Sequence, residues 1–200
     1  MTFEIPSWED ITNYLRELAQ KIIQNRIKIN VIVCIGRGGA CPSRILSDFL
    51  NIPIFYNISV SYYNDIGEKN DSPLITQPLS VSLSGKHVLL CDDVSDSGNS
   101  FRIVKGYLEK QKCAAITTAA IYMKPWTSFI PNFYAKATEA WIVFPWEQIE
   151  TLDKLIQRHL KEGKPLEDIT SELLSAGFTN TQLEFYFSIR PRKTDQINKR

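Results

Sequence analysis

The chain has 200 residues, 44% of them hydrophobic and 22% charged, and its 23 basic and 22 acidic residues leave a net charge of +1. That size and composition suit one sizeable core with a small appendage, and exclude two full domains or a disordered chain. The charge balance gives no global field for nucleic acid or a membrane surface, so any phosphate site must be local.

The start, MTFEIPSWED, lacks a basic segment followed by an apolar one, and no run approaches the roughly 18 apolar residues of a spanning helix. The four cysteines, Cys34, Cys41, Cys91 and Cys113, have no zinc-ligand spacing and read as reduced thiols. The two histidines, His87 and His159, are too far apart to suggest a metal centre. These features describe a cytoplasmic protein that neither enters a membrane nor binds nucleic acid.

Ser7 and Asp10 fit a capping box, and Ile11, Tyr14, Leu15, Leu18, Ala19 and Ile22 recur at helical spacing, which predicts a helix over about 8–25. VIVCI at 31–35 reads as a buried strand ending at Gly36, followed by an amphipathic segment over 42–50 and a second strand, IFYNISV, at 54–60. Strands alternating with helices make an open, mainly parallel α/β sheet. Residues 61–80, rich in Asn, Asp, Gly and Pro, interrupt the alternation and suit a lid, a binding loop or a hairpin excursion.

HVLLC at 87–91 predicts the next buried strand, with Asp92 and Asp93 emerging beyond its end. Asn99 or Ser100 is positioned to cap a helix carrying Phe101, Val104, Tyr107 and Leu108. ITTAAIYM at 116–123 and WIVF at 141–144 supply two further strands. Beyond Trp146 only helices are expected, with stripes at Ile149, Leu152, Leu155, Ile156 and Leu160, then Leu166, Ile169, Leu173 and Leu174. Thr179 and Gln182 open a third segment containing Leu183 and Phe187. So short a tail has little core of its own, and its stripes are expected to bury against the main domain or a second subunit. The expected division is a core over 1–148, a helical extension over 149–190 and a frayed end over 191–200.

Carboxylates at the C-terminal edge of a parallel sheet suit polyol hydroxyls or a magnesium ion held partly through water. After them, Asp96, Ser97, Gly98, Asn99 and Ser100 combine side-chain donors with a close-approaching glycine at a helix start, a combination that suits a terminal phosphate. Phosphate beside neighbouring hydroxyls describes a ribose 5-phosphate. A second glycine-rich turn, Gly36, Arg37, Gly38 and Gly39, is not a P-loop, since no Lys-Ser/Thr closes it, and Cys41 spoils a dinucleotide fingerprint. It places the Arg37 guanidinium among peptide N–H groups, a second anion site, so the sugar would carry phosphate groups at both ends.

VLLCDDVSDSGNS closely resembles the phosphoribosyl-diphosphate signature of type I phosphoribosyltransferases, and GRGG resembles their pyrophosphate loop, in which the bond before the arginine is often a non-proline cis peptide. Serine stands for threonine at 97 and 100, and Asn99 for the common glycine. The resemblance implies that fold, with a hood over 61–80 beginning at SYY, and implies that Asp92 and Asp93 bind the ribose hydroxyls and Mg2+ while 96–100 hold the 5-phosphate. MKP at 123–125 and WIVFPWE at 141–147 resemble base-binding elements of the xanthine-guanine and other 6-oxopurine enzymes. By that resemblance Lys124 donates to purine O6, Trp141 stacks on the base, the Ile142 backbone meets the N1/N2 edge, and Asp96 lies near N7 and exchanges a proton.

The implied reaction transfers phosphoribosyl from 5-phosphoribosyl 1-diphosphate to hypoxanthine, guanine or xanthine in purine salvage, releasing diphosphate and a purine nucleotide, in a homo-oligomeric enzyme. The alternatives are an adenine or pyrimidine transferase, or a non-catalytic nucleotide-binding regulator on the same fold. A phosphoacceptor receiver domain needs a separate aspartate from another strand end, and no such residue stands at the 31–35 strand, where Gly36 and Arg37 emerge.

Overall fold

A computed structural model describes residues 2–62 and 73–190. Its described residues form two compact units, one of residues 9–139 and one of residues 2–8 with 140–190.

The larger unit contains most of helix α1 (Trp8–Gln24), then strand β2 (Val31–Gly36), helix α2 (Ala40–Phe49), and strands β3 (Phe55–Tyr62), β4 (Pro73–Gln77) and β5 (His87–Ser95); helix α3 (Asn99–Lys110) and strands β6 (Ala115–Met123) and β7 (Phe133–Ala137) complete it. β1 (Phe3–Glu4) belongs to the smaller unit. The six-stranded sheet has the order β4-β3-β2-β5-β6-β7, parallel except for β4. β2 and β5 lie at its centre, and the chain leaves them in opposite directions, through α2 to β3 and through α3 to β6. The crevice between their C-terminal ends is therefore the topological switch point, where open α/β sheets take ligands.

The central strands are apolar over Val31–Ile35 and Val88–Cys91, where both faces are covered. Val31, Val33, Ile35, Val88 and Leu90 join Phe101, Val104 and Leu108 of α3 in one core. On the opposite face the buried Ser43 of α2 lies against Cys34 and Cys91, which stand side by side in the β2/β5 register. Burial pushes the Cys34 thiol up to about 11, so it is a packing group at neutral pH. All four cysteines are free.

The sequence boundaries hold for most elements, with four corrections. β5 does not end at Cys91: it stays paired with β6 as far as Ser95↔Met123, whereas its pairing with β2 stops at Cys34↔Cys91. The aspartates thus lie within a strand segment that pairs with a strand on one side only. Neither Asn99 nor Ser100 caps α3; Gly98 does, at φ 83, with no side-chain cap. The fifth parallel strand is FYAKA, an edge strand whose half-exposed pattern carries little alternation to read. WIVF contributes only the two-residue β8 (Trp141–Ile142), which pairs with β1 outside the main sheet.

Strands β3 and β4, which border the interruption at 61–80, pair antiparallel; residues 63–72, half of the expected hood, and the expected frayed end at 191–200 lie outside the described residues.

The smaller unit holds β1, β8 and helices α4 (Gln148–Lys161), α5 (Leu166–Ser175) and α6 (Asn180–Ile189). Its stripes do not need the sheet. Leu152, Ile156, Ile169, Leu173, Leu183 and Tyr186 pack with Val143, Phe178 and the partly buried Phe3 and Ile5, so a third helix and the N-terminal strand supply the core that two helices would lack. Leu160 and Leu174 stay outside it, 44% and 37% exposed. The Thr179–Gln182 capping box forms as its sequence predicts, with Thr179 N–H donating to Gln182 Oε1 at 2.7 Å. No described helix is long and apolar enough to cross a membrane.

Candidate active site

Two turns converge at the switch point. In the first, the Gly36–Arg37 bond is cis, Gly39 N–H donates to the Ile35 carbonyl at 2.9 Å and Ala40 N–H to the Arg37 carbonyl at 3.1 Å. Those two N–H groups therefore close the turn itself, and Arg37 is the exposed charge it carries. The glycines are needed for contact with β5. A Cβ on Gly38 would collide with the Asp93 carboxylate, and one on Gly39 would stand 2.6 Å from the Cys91 carbonyl and 2.8 Å from that of Ile35.

Asp92 and Asp93 line a cleft of about 520 Å³ formed by residues 92–101. Each carboxylate also takes an N–H of its own strand: Asp93 N–H donates to Asp92 Oδ1 at 2.9 Å, and Val94 N–H to Asp93 Oδ1 at 2.7 Å. Burial first, and then the charge of Asp93, push the Asp92 carboxyl well above the usual carboxylate range. Two adjacent, largely desolvated carboxylates suit a cation or sugar hydroxyls. Asp92 and Asp93 are the carboxylates that would hold a magnesium ion here, with water or substrate oxygens completing its shell.

The second turn reverses at Gly98, whose left-handed φ and close approach to Phe129 both require glycine. It is supported by the loop after β6. Lys124 N–H donates to the Ser95 carbonyl at 2.9 Å, Ser128 Oγ to the Ser97 carbonyl at 2.6 Å, and Ser95 Oγ to the Phe129 carbonyl at 2.7 Å. Arg102 of α3 joins Ser128 Oγ at 2.8 Å to Asn99 Oδ1 at 3.3 Å. Ser100 follows Asn99 in the first turn of α3 and lines the same cleft.

Lys124 is only 6% exposed, so it is no freely solvated strand-end lysine, and its Nζ lies 5.4 Å from the centroid of the Trp126 ring. Asp96 is exposed at the cleft, and Trp126 Nε1 donates to its Oδ1 at 2.8 Å. The larger unit thus brings together Gly36, Arg37, Gly38, Gly39, Asp92, Asp93 and 96–100, with Lys124 on the loop beside them. Trp141 and Ile142 stand on β8 in the smaller unit, Trp141 49% exposed and Ile142 buried. Trp141 is therefore no core residue.

Residues 4–148 match the phosphoribosyl transferase domain family. The chain belongs to the phosphoribosyltransferase family. A purine phosphoribosyltransferase structure from Pyrococcus horikoshii is 35% identical to it, covering 73% of this chain and 94% of that one with a TM-score of 0.66. A xanthine-guanine phosphoribosyltransferase of Idiomarina loihiensis is 29% identical over 70% of this chain and 84% of its own length. A Neisseria gonorrhoeae protein solved with bound ppGpp is 27% identical, covering 73% of this chain and 89% of that one with a TM-score of 0.65.

Sequence reasoning about this phosphoribosyltransferase missed Trp126, Ser128 and Arg102. The tryptophan directly after the Lys-Pro pair, at a strand end beside a carboxylate-rich turn, was the available signal; the contacts of Ser128 and Arg102 depend on a fold-back that local sequence does not specify.

Proposed function

We propose that this phosphoribosyltransferase moves the phosphoribosyl group of 5-phosphoribosyl 1-diphosphate onto a 6-oxopurine, hypoxanthine, guanine or xanthine, releasing diphosphate and a purine nucleotide in purine salvage. The observation that carries the reading is the pairing of a carboxylate-lined strand end with a phosphate-type turn in one cleft, facing a second, arginine-bearing glycine turn at the switch point.

Asp92 and Asp93 hold the ribose hydroxyls and Mg2+, Asp96 to Ser100 hold the 5-phosphate, and Arg37 with Gly36, Gly38 and Gly39 receives the diphosphate. Mg2+, when bound, neutralises charge on the diphosphate. C1 acquires oxocarbenium-like character as the leaving-group bond breaks, so the chain contributes chiefly by aligning donor and base and by fixed positive charge for the departing oxygens. Asp96 accepts or returns the proton at N7 as the base changes protonation state. Lys124 donates to O6, while Trp141 and the Ile142 backbone serve the base, an assignment that rests on their motif and on the exposure of the indole. We place the enzyme in the cytoplasm, in keeping with its four free cysteines, and as a homo-oligomer.

The test is diphosphate release from 5-phosphoribosyl 1-diphosphate and Mg2+ against a panel of bases. Turnover with 6-oxopurines and weak turnover with adenine are expected; an unaltered protein that binds the donor without transferring it to any base would instead be the regulator. Because a relative is solved with ppGpp, a guanine nucleotide carrying two diphosphates is a second ligand for the same phosphate turns, and it should raise the donor KM competitively.

A further inference from the structure

We propose that Trp126 is a positioning residue that holds the proton-exchanging Asp96 with its indole edge and the O6-reading Lys124 with its ring face. The inference rests on the roles given above to Asp96 and Lys124 and extends them to a residue with no part in either motif.

Three observations carry it. The indole N–H donates to Asp96 Oδ1 at 2.8 Å, and the ammonium of Lys124 stands 5.4 Å from the centroid of the same ring. Asp96 lies exposed on a turn, where a carboxylate is free to rotate unless something fixes it. The ring itself is anchored by its backbone: Thr127 N–H donates to the Lys124 carbonyl at 3.0 Å, and Ser128 N–H and Oγ both reach the Ser97 carbonyl, at 3.1 and 2.6 Å.

An indole N–H donates only and cannot take up a proton at neutral pH. Bound to Oδ1, it keeps that oxygen an acceptor in every state of the reaction and makes Oδ2 the oxygen that gains or loses the N7 proton. The ring face gives the Lys124 ammonium an electrostatic contact, so its direction is set by the same indole that holds Asp96. One side chain therefore sets the spacing between a proton acceptor and a donor, the two groups that read the N7 and O6 edge of a 6-oxopurine.

Trp126→Phe keeps the ring face and removes the N–H. It should lower kcat roughly 10-fold or more, the order expected for a lost hydrogen bond to a charged group, while the KM for 5-phosphoribosyl 1-diphosphate stays unchanged because Ser128 and Arg102 still hold the turn. Trp126→Leu removes both contacts and should also raise the KM for guanine. In an Asp96→Asn background, Trp126→Phe should cost nothing further, since there is no carboxylate left to orient. Unchanged kcat in Trp126→Phe overturns the proposal, as does a loss that multiplies undiminished onto that of Asp96→Asn. Full turnover by Asp96→Asn alone overturns it through the proton role of Asp96, and absence of any transfer by the unaltered protein rejects the enzymatic reading itself; the two failures are thereby told apart.

Discussion

Gly98→Ala should damage the phosphate turn and the fold together. Gly98 sits at φ 83, a region that costs a residue with a side chain about 1–2 kcal/mol. The new Cβ would stand 2.5 Å from Phe129 Cβ and 2.6 Å from Phe129 N. Phe129 has no room to yield, since its ring stacks on Phe101 at 5.3 Å and 4° and its carbonyl accepts from Ser95 Oγ. Relieving that clash costs about 1–3 kcal/mol more, for a total of about 2–5 kcal/mol. Gly106 is the control: it lies inside α3, and a Cβ there would meet no heavy atom within 4 Å, so Gly106→Ala should stabilise by about 0.8–1 kcal/mol. For a chain of this length each kcal/mol moves the Tm by roughly 2–4 °C, so calorimetry should find Gly98→Ala roughly 4–20 °C lower and Gly106→Ala roughly 2–4 °C higher. The donor KM should rise only in Gly98→Ala. An unchanged Tm and an unchanged donor KM in Gly98→Ala would refute the account of the turn.

Lys124→Ala should reduce kcat/KM for guanine and hypoxanthine by roughly 5- to 150-fold, corresponding to about 1–3 kcal/mol for one lost donor, and leave donor binding intact in a calorimetric titration. Asp93→Asn should act on the other substrate, raising the KM for 5-phosphoribosyl 1-diphosphate and the Mg2+ needed for half-maximal rate, because the amide retains a hydrogen-bonding oxygen but no charge. Tyr186→Phe removes the 2.9 Å hydrogen bond to Asp153 in the smaller unit and should lower stability by about 0.5–1.5 kcal/mol in a denaturant titration. Burial above all, then Asp153, push the Tyr186 hydroxyl from 10.0 up to about 12; its folded state holds the proton more tightly, so this contribution is whole below pH 10 and fades as pH rises through 12.

The two turns and the acidic pair at the switch point are legible in the sequence because every part lies at or directly beyond the end of an apolar run. Apolar β2 and β5 announce themselves, and Gly36–Gly39 and Asp92–Ser100 come immediately after or at their ends. The parts that escape are those whose placement depends on distant neighbours. Nothing local in FYAKA marks an edge strand, and nothing in WIVF distinguishes a strand of the main sheet from one that pairs with Phe3 and Glu4. Two helical stripes alone point to an outside surface for the tail; only the third helix together with Val143, Phe3 and Ile5 makes it self-sufficient, and Phe3 and Ile5 stand some 140 residues away along the chain. Side-chain caps are the commoner choice, which favours Asn99 over Gly98 in the sequence, whereas the contact with Phe129 decides the turn in the fold.

The continuation of β5 past Cys91 also explains why the acidic pair can be adjacent at all. Two aspartates in succession within an ordinary central strand would point to opposite faces and leave at least one charge against the core. Here the pairing with β2 has already stopped at Cys34↔Cys91, while β6 holds the far side of β5 as far as Ser95, so the segment stays extended with the glycine turn instead of a strand along its other flank. The carboxylates fold back on their own strand, Asp92 onto Asp93 N–H and Asp93 onto Val94 N–H, and both reach the cleft. Backbone donors thereby orient one oxygen of each carboxylate before any ligand arrives. A loop carrying the same two residues would have to order them on binding, at about 1–2 kcal/mol for each residue's backbone, which would weaken the proposed donor binding in proportion.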